Sequence, residues 1–188
     1  MKLTFEETLV RQCAPTLAGM KPGSLFCFGA PAMESVRQKA AQWHARLRPL
    51  GVSVVVLLER QGPKQSIIYV YRRNQLERLL SADEHRGFLA RCGYRDADCD
   101  GMLAQLCGRL RTSIQFPHEI GVFLGYPLQD VIGFIENRGQ NFTCCGFWKS
   151  YSDPAEARKC FACYQKCIAD YTQLFGRGVP IEKLAMLA

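Results

Sequence analysis

The stretches VSVVVLLE at residues 52–59 and SIIYVY at residues 66–71 decide the fold of this chain. Both are short and rich in β-branched and aromatic residues, which is typical of β-strands. Between them stands Gln61-Gly62-Pro63-Lys64, whose glycine and proline favour a turn. The pattern therefore predicts a β-hairpin. Its first strand is far shorter than the roughly 20 apolar residues of a membrane helix, so we expect it to be a buried strand.

Helical patterns flank this hairpin on both sides. Thr4 and Glu7 have the spacing of a capping box, which predicts a first helix that ends near Pro15. Asn74 follows the second hairpin strand and predicts the N-cap of another helix. The remaining predicted helices are 31–47, 83–92, 98–111, two short helices within 118–137, 154–175 and 181–187, and the remaining predicted strands are 24–28 and 142–151. This order predicts the α/β (α+β) class, with a mixed sheet of four to five strands that includes one hairpin, flanking helices and a long C-terminal helix.

Length and composition predict one domain over residues 1–188, with residues 83–138 as a candidate helical sub-region. A chain of 188 residues that is 48% hydrophobic can bury a core without disulfides. Residues 1–17 hold no apolar run of signal-peptide length, so we expect a cytoplasmic protein with no membrane partner. In that compartment the ten cysteines would be thiols, metal ligands or redox groups.

The net charge of +7 is carried entirely by residues 1–112. An excess of this kind can indicate an anionic partner. The basic residues are scattered, however, and no run reaches five, which favours a solvated basic surface and argues against nucleic acid. A protein partner or a homodimer stays open.

The C-terminal cysteines are the first candidates for chemistry. Cys160, Cys163 and Cys167 lie at i, i+3 and i+7 along one side of the predicted long helix, and Cys144 and Cys145 precede that helix. Four thiolates or imidazoles can complete a tetrahedral shell around zinc or iron. Cysteine also packs as a small hydrophobe, and a pair of thiols can undergo redox chemistry, so three interpretations stay open.

His118, Glu119 and Lys149 add candidates for ligand binding. His118 could supply an imidazole ligand or a general base next to the Glu119 carboxylate. Adjacent helical residues point about 100° apart, so both cannot face one bound atom. Lys149 lies among aromatic residues and could hold an anionic ligand, although a surface lysine would have the same pattern.

Residues 118–137 have the spacing of a helix-turn-helix, with Gly121 four residues before the turn residue Gly125. The second helix offers few side chains that could read base edges. We therefore interpret the segment as a packed helical pair. An interaction or regulatory module built on this pair is an alternative function.

Three stretches together resemble an uncharacterised family of anaerobic bacteria, a domain of unknown function that is DUF3793-like. They are Cys13-Ala14-Pro15-Thr16-Leu17-Ala18-Gly19 with Leu25-Phe26, the run FPHEIGVFLGYP at 116–127, and Cys145-Gly146-Phe147-Trp148-Lys149 with Tyr151 and Cys167. The resemblance covers nearly the whole chain. It implies a cytoplasmic protein from an oxygen-poor setting and carries over no catalytic residue.

The resemblance also points to the residues inside its motifs, namely Cys13, His118, Cys145, Lys149 and Cys167. The leading hypothesis is a metal- or ligand-binding protein of redox or metal homeostasis. Its metal ligands would be Cys13, His118, Cys145 and Cys167, its cofactor zinc or iron, including iron–sulfur, and its ligand-binding residues Lys149 and Glu119. A thiol-dependent enzyme with Cys145 as nucleophile and His118 as base is a further alternative.

Overall fold

The computed structural model describes residues 3–29, 33–60, 65–113 and 115–187. Within them the chain is an α+β protein, which confirms the predicted class. It divides into two compact units, a first unit of Met1–Gln75 with Lys166–Ala188 and a second unit of Leu76–Gln165. The single domain over 1–188 stays a prediction. None of the described helices has both the length and the apolar character that a membrane span requires.

The first unit contains a three-stranded antiparallel sheet. Its strands are β1 (Gly23–Gly29), β2 (Val52–Arg60) and β3 (Gln65–Arg72), in the order β1-β3-β2. Val54 pairs with Val70 in the register of β2 and β3, which confirms the predicted strand pair. The turn predicted at 61–64 lies outside the described residues.

Helix α1 (Phe5–Leu17) begins with the predicted capping box, because the Thr4 amide donates to Glu7 and the Glu7 amide donates to the Thr4 hydroxyl. Helix α1 ends at Leu17, two residues beyond Pro15, near which the sequence predicts its end. Pro15 lies inside the helix, and the helix continues because its last turn, through Leu17, is fully buried. Helix α2 (Met33–Leu47) also packs on the sheet and is followed by a 3-10 turn at Arg48–Leu50, while the predicted start of α2 at 31 falls outside the described residues.

The core of the first unit lies between these helices, the sheet and the chain's last helix, α9 (Ile181–Ala185). Its members are aliphatic and aromatic side chains, including Phe5, Leu9, Cys13, Leu17, Val36, Leu47, Val54, Ile68, Val70, Tyr171, Ile181 and Leu184. Each such side chain contributes about 1.5–3 kcal/mol when it leaves water.

Arg72 closes the edge of this core at the end of β3. Its guanidinium donates to the carbonyls of Thr16 and Ala185, both at 2.8 Å, and to the carbonyl of Leu17. These carbonyls stand in the last turns of α1 and α9, where no partner within the helix is available. Burial lowers the pKa of Arg72.

The second unit is mainly helical. It holds most of α3 (Arg73–Ser81), α4 (Asp83–Arg91), α5 (Cys99–Thr112), α6 (Ile120–Phe123) and α7 (Leu128–Glu136), a hairpin of β4 (Cys144–Cys145) and β5 (Lys149–Ser150), and the first half of α8 (Pro154–Gly176). The long C-terminal helix is thereby confirmed. Helix α3 starts at Arg73, so the prediction of Asn74 as its N-cap is wrong.

The single strand predicted at 142–151 is also wrong, because the chain turns back within it. Gly146 donates its amide to the Trp148 carbonyl at 3.0 Å, which separates β4 from β5. A side chain at Gly146 would place its Cβ only 2.3 Å from the Phe161 ring, so the turn fits closely against α8. The described strands thus form two antiparallel sheets, of three and two strands, and not one mixed sheet.

Candidate ligand cavity

The pair α6 and α7 forms one side of the candidate site. Gly125, with φ of +70°, makes the turn between the helices. A Cβ at Gly121 would lie 2.8 Å from Val131 Cγ2, so the two helices touch where the first has no side chain. This confirms the packed helical pair that the sequence predicts for 118–137.

Asp130 on α7 holds the β4–β5 hairpin against this pair. Its Oδ2 accepts the Trp148 indole N–H at 2.7 Å, and its Oδ1 accepts the amides of Tyr151 at 2.7 Å and Ser152 at 3.0 Å and the Ser150 hydroxyl at 3.2 Å. The residue is only 2% exposed. Burial raises the pKa of Asp130, but these hydrogen bonds outweigh it and hold the pKa below its ordinary value. The carboxylate is therefore ionised at neutral pH.

Trp148 is fixed on both faces. Its ring stacks on Tyr126 at 5.1 Å between centroids and meets the edge of Phe161 on α8 at 4.6 Å. Such pairs add about 0.5–1.5 kcal/mol beyond the area they bury. A Cβ at Gly133 would lie 2.5 Å from the Tyr151 ring, so the hairpin and α7 are also in close contact.

These contacts leave a cavity of about 230 Å³ in the second unit. Most of its wall is aromatic or aliphatic, and its polar lining residues are His118, Asp130 and Lys149 together with the hydroxyl of Tyr126 and the indole N–H of Trp148. The other lining residues are Phe116, Ile120, Gly121, Leu124, Val131 and Phe134. Phe116 is 41% exposed.

Lys149 enters this cavity from β5. Its Nζ donates to the Gly139 carbonyl at 2.7 Å and lies over the Phe142 ring at 4.8 Å and the Phe134 ring at 5.9 Å. The backbone that presents the carbonyl is unusual, because Arg138 has a φ of 52° beside Gly139 at 72°. A non-glycine residue in the left-handed region costs conformational energy, and such costs concentrate at functional sites. The side chain of Lys149 is half-buried.

His118 and Glu119 face different surroundings. His118 is exposed and lies 4.9 Å from the Phe134 ring and 6.5 Å from the Phe116 ring. Glu119 is 5% exposed and accepts from Arg109 Nε at 2.6 Å and from the Tyr94 hydroxyl at 3.4 Å. Glu119 is not among the residues that line the cavity.

A family model described as "Protein of unknown function (DUF3793)" matches residues 9–185. The chain belongs to this family. The matched range contains all three motifs on which the resemblance was based, and the origin in anaerobic bacteria stays a prediction. No curated protein and no solved structure matches the chain.

The cysteines inside the DUF3793 region have different environments. Cys13 is fully buried in the core of the first unit, and burial raises the pKa of its thiol strongly. Cys167 belongs to the same core, and burial followed by the nearby Asp170 raises the pKa of Cys167 to about 11. Cys145 lies on β4 in the second unit and is exposed. His118 belongs to the same unit and is exposed too. Cys145 does not line the cavity.

The helical cysteines also differ from one another along α8. Cys160 is half-buried and hydrogen-bonded to Tyr164, Cys163 is exposed, and Cys167 is buried. All ten cysteines lie in the described residues, and none forms a disulfide. In that part of the chain no three His, Cys, Asp or Glu side chains are grouped so that they could hold a metal ion. The predicted metal site of Cys13, His118, Cys145 and Cys167 therefore stays a prediction, and no cluster of ligands among the described residues supports it.

Sequence analysis therefore identified two residues of the cavity, His118 and Lys149, and missed Asp130. The signal was present, because Asp130 is the single charged residue within 120–135. A lone carboxylate in an apolar helical segment is buried only where hydrogen-bond donors surround it.

Proposed function

We propose that this chain is a ligand-binding protein that holds a small, mostly apolar molecule in the cavity of its second unit. The observation that carries the proposal is a cavity of about 230 Å³ with a largely aromatic and aliphatic wall and few polar groups. Small-molecule sites have this composition, in which apolar walls supply affinity and a few polar groups set orientation. The proposal follows the ligand-binding branch of the leading hypothesis.

The volume limits the size of the ligand. An apolar cavity of about 150 Å³ accepts benzene, whereas sites for drug-sized ligands begin near about 300 Å³. The cavity of about 230 Å³ lies between these sizes. It fits one ring, or a short branched chain, with a substituent of about four heavy atoms.

The wall is formed before any ligand arrives. Trp148 is held by the Asp130 carboxylate, by Tyr126 and by Phe161. A preformed wall lowers the entropic cost of binding. For a ligand of about ten heavy atoms, at about −0.5 kcal/mol per atom, the dissociation constant is on the order of 0.2 mM.

Trp148 provides the test, because it is part of the wall and the chain has only one other tryptophan, Trp43. Trp43 belongs to the first unit. A Trp43→Phe variant makes Trp148 the sole indole reporter. Titration of this variant with phenylacetamide and phenylacetate should change the emission saturably, with a dissociation constant in the micromolar to millimolar range.

A matched variant connects the signal to the cavity. Leu124→Phe adds a ring to the wall at a residue that is 7% exposed and should abolish the response while the protein stays folded by circular dichroism. The proposal is wrong if neither probe gives a saturable change at millimolar concentration and neither raises the melting temperature.

A further inference from the structure

The geometry points to a carboxylate as the polar group of the ligand, bound by Lys149 and His118. This inference rests on the proposed function and adds the chemical class of the ligand to it.

The Asp130 carboxylate is engaged mainly inside the protein. A carboxylate offers about four acceptor positions. Four donors are bound: the Ser150 hydroxyl and the amides of Tyr151 and Ser152 at Oδ1, and the Trp148 indole at Oδ2, so the position still open is on Oδ2. Asp130 thus has its hydrogen-bond partners inside the protein, and its charge is spread over four neutral donors.

The other polar groups of the wall are also engaged, with two exceptions. The Trp148 indole N–H donates to Asp130, and the Tyr126 hydroxyl donates to the Phe147 carbonyl at 3.3 Å. The Lys149 ammonium has three N–H donors. Within the described residues one of them donates to the Gly139 carbonyl. Among the same residues the His118 imidazole has aromatic rings for neighbours and no hydrogen-bond partner.

Most of the unused capacity of the cavity is therefore on the donor side, at the Lys149 ammonium. A ligand satisfies it by bringing acceptors, and a carboxylate brings the strongest ones for an ammonium group, because charge-assisted hydrogen bonds are about twice as strong as neutral ones. The Phe134 and Phe142 rings keep water from part of the ammonium surface. Partial desolvation strengthens the attraction between the ammonium and a carboxylate.

Three probes separate the possibilities: phenylacetate, its neutral amide phenylacetamide of the same size, and the smaller cation benzylamine. We expect phenylacetate to bind the wild-type protein about tenfold more tightly than phenylacetamide, the effect of one charge-assisted hydrogen bond. Benzylamine should bind more weakly than either. Isothermal titration calorimetry measures all three without a variant.

Two variants assign the effect to Lys149. Lys149→Met keeps the length of the side chain and removes the charge, so it should weaken phenylacetate about tenfold and weaken phenylacetamide, whose carbonyl is a neutral acceptor, much less. Lys149→Arg should retain most of the preference. Lys159→Met is the matched control, since Lys159 lies on α8 with a 72% exposed side chain and should change nothing.

The outcomes distinguish this inference from the proposed function. If phenylacetate and phenylacetamide bind equally well, the cavity still binds a ligand, but the inference that the ligand carries a carboxylate is wrong. Tighter binding of benzylamine has the same meaning. Unchanged phenylacetate affinity in a folded Lys149→Met variant refutes the role of Lys149. Absence of binding by every probe overturns both proposals together.

Discussion

Replacing Asp130 by Asn tests whether a buried, ionised carboxylate holds the hairpin of the second unit. The amide has nearly the same shape, but one of its two polar atoms is a donor. In the better orientation its oxygen still accepts from the Tyr151 and Ser152 amides, and its nitrogen then faces the Trp148 indole N–H. One hydrogen bond to a charged acceptor is lost and one buried donor is left without a partner. We expect the free energy of unfolding to fall by about 2–3 kcal/mol.

The measurement is urea denaturation of the Trp43→Phe variant with and without Asp130→Asn, followed by the emission of Trp148. Glu156→Gln is the control, because its ion pair with Lys159 is exposed and should contribute less than about 1 kcal/mol.

The difference between the Asp and Asn proteins should also depend on pH. Because the folded pKa of Asp130 is lowered, its stabilisation is complete above the unfolded pKa of about 3.9 and is lost as the pH falls through the folded pKa. The gap should therefore be constant near neutral pH and shrink in acid. A loss below about 1 kcal/mol, or a gap that does not change in acid, would refute the assignment of Asp130 as an ionised acceptor.

Three further predictions concern stability. Arg72→Met leaves the carbonyls of Leu17 and Ala185 without a donor, while the Thr16 carbonyl keeps the Gly19 amide, and it should cost about 2–3 kcal/mol in urea denaturation. Arg37→Met at an exposed ion pair should cost less than about 1 kcal/mol. Gly121→Ala places a Cβ 2.8 Å from a side chain of α7 and should lower stability by about 1–3 kcal/mol, whereas Gly108→Ala, which meets nothing within 4 Å in α5, should be neutral or stabilising. Cys13→Ser buries a hydroxyl in an apolar core and should lower the free energy of unfolding by about 1–3 kcal/mol, equally with and without a chelator. If a chelator lowers the melting temperature of the wild-type protein, that result would support the predicted metal site instead.

The hairpin of β2 and β3 was predictable because its signal is local. Runs of β-branched residues with a glycine and a proline between them favour one arrangement at short range. The segment 142–151 has a similar aromatic content, yet it folds back at Gly146, where Phe161 of α8 occupies the space that a side chain would need. A contact of this kind has no signature within the segment itself.

The sequence also does not decide which cysteines belong to a site. Cys13 shares a helical face with Leu9 and Phe5, and this spacing is compatible with a core side chain and with a ligand. The sequence does not show that Cys13 is fully buried, because burial depends on what packs against the helix. Lys149 and His118 could be singled out one by one, but their common cavity exists only because α6, α7 and the β4–β5 hairpin converge.

The bonds from Arg72 to Leu17 and Ala185 also set an order of events during synthesis. The guanidinium joins the end of β3 to carbonyls near both ends of the described chain, 113 positions apart for Ala185. The first unit therefore cannot be completed until residue 185 has left the ribosome, whereas residues 76–165 of the second unit emerge earlier and can collapse first. Until then the apolar faces of α1 and the sheet have no cover from α9 and stay open to solvent.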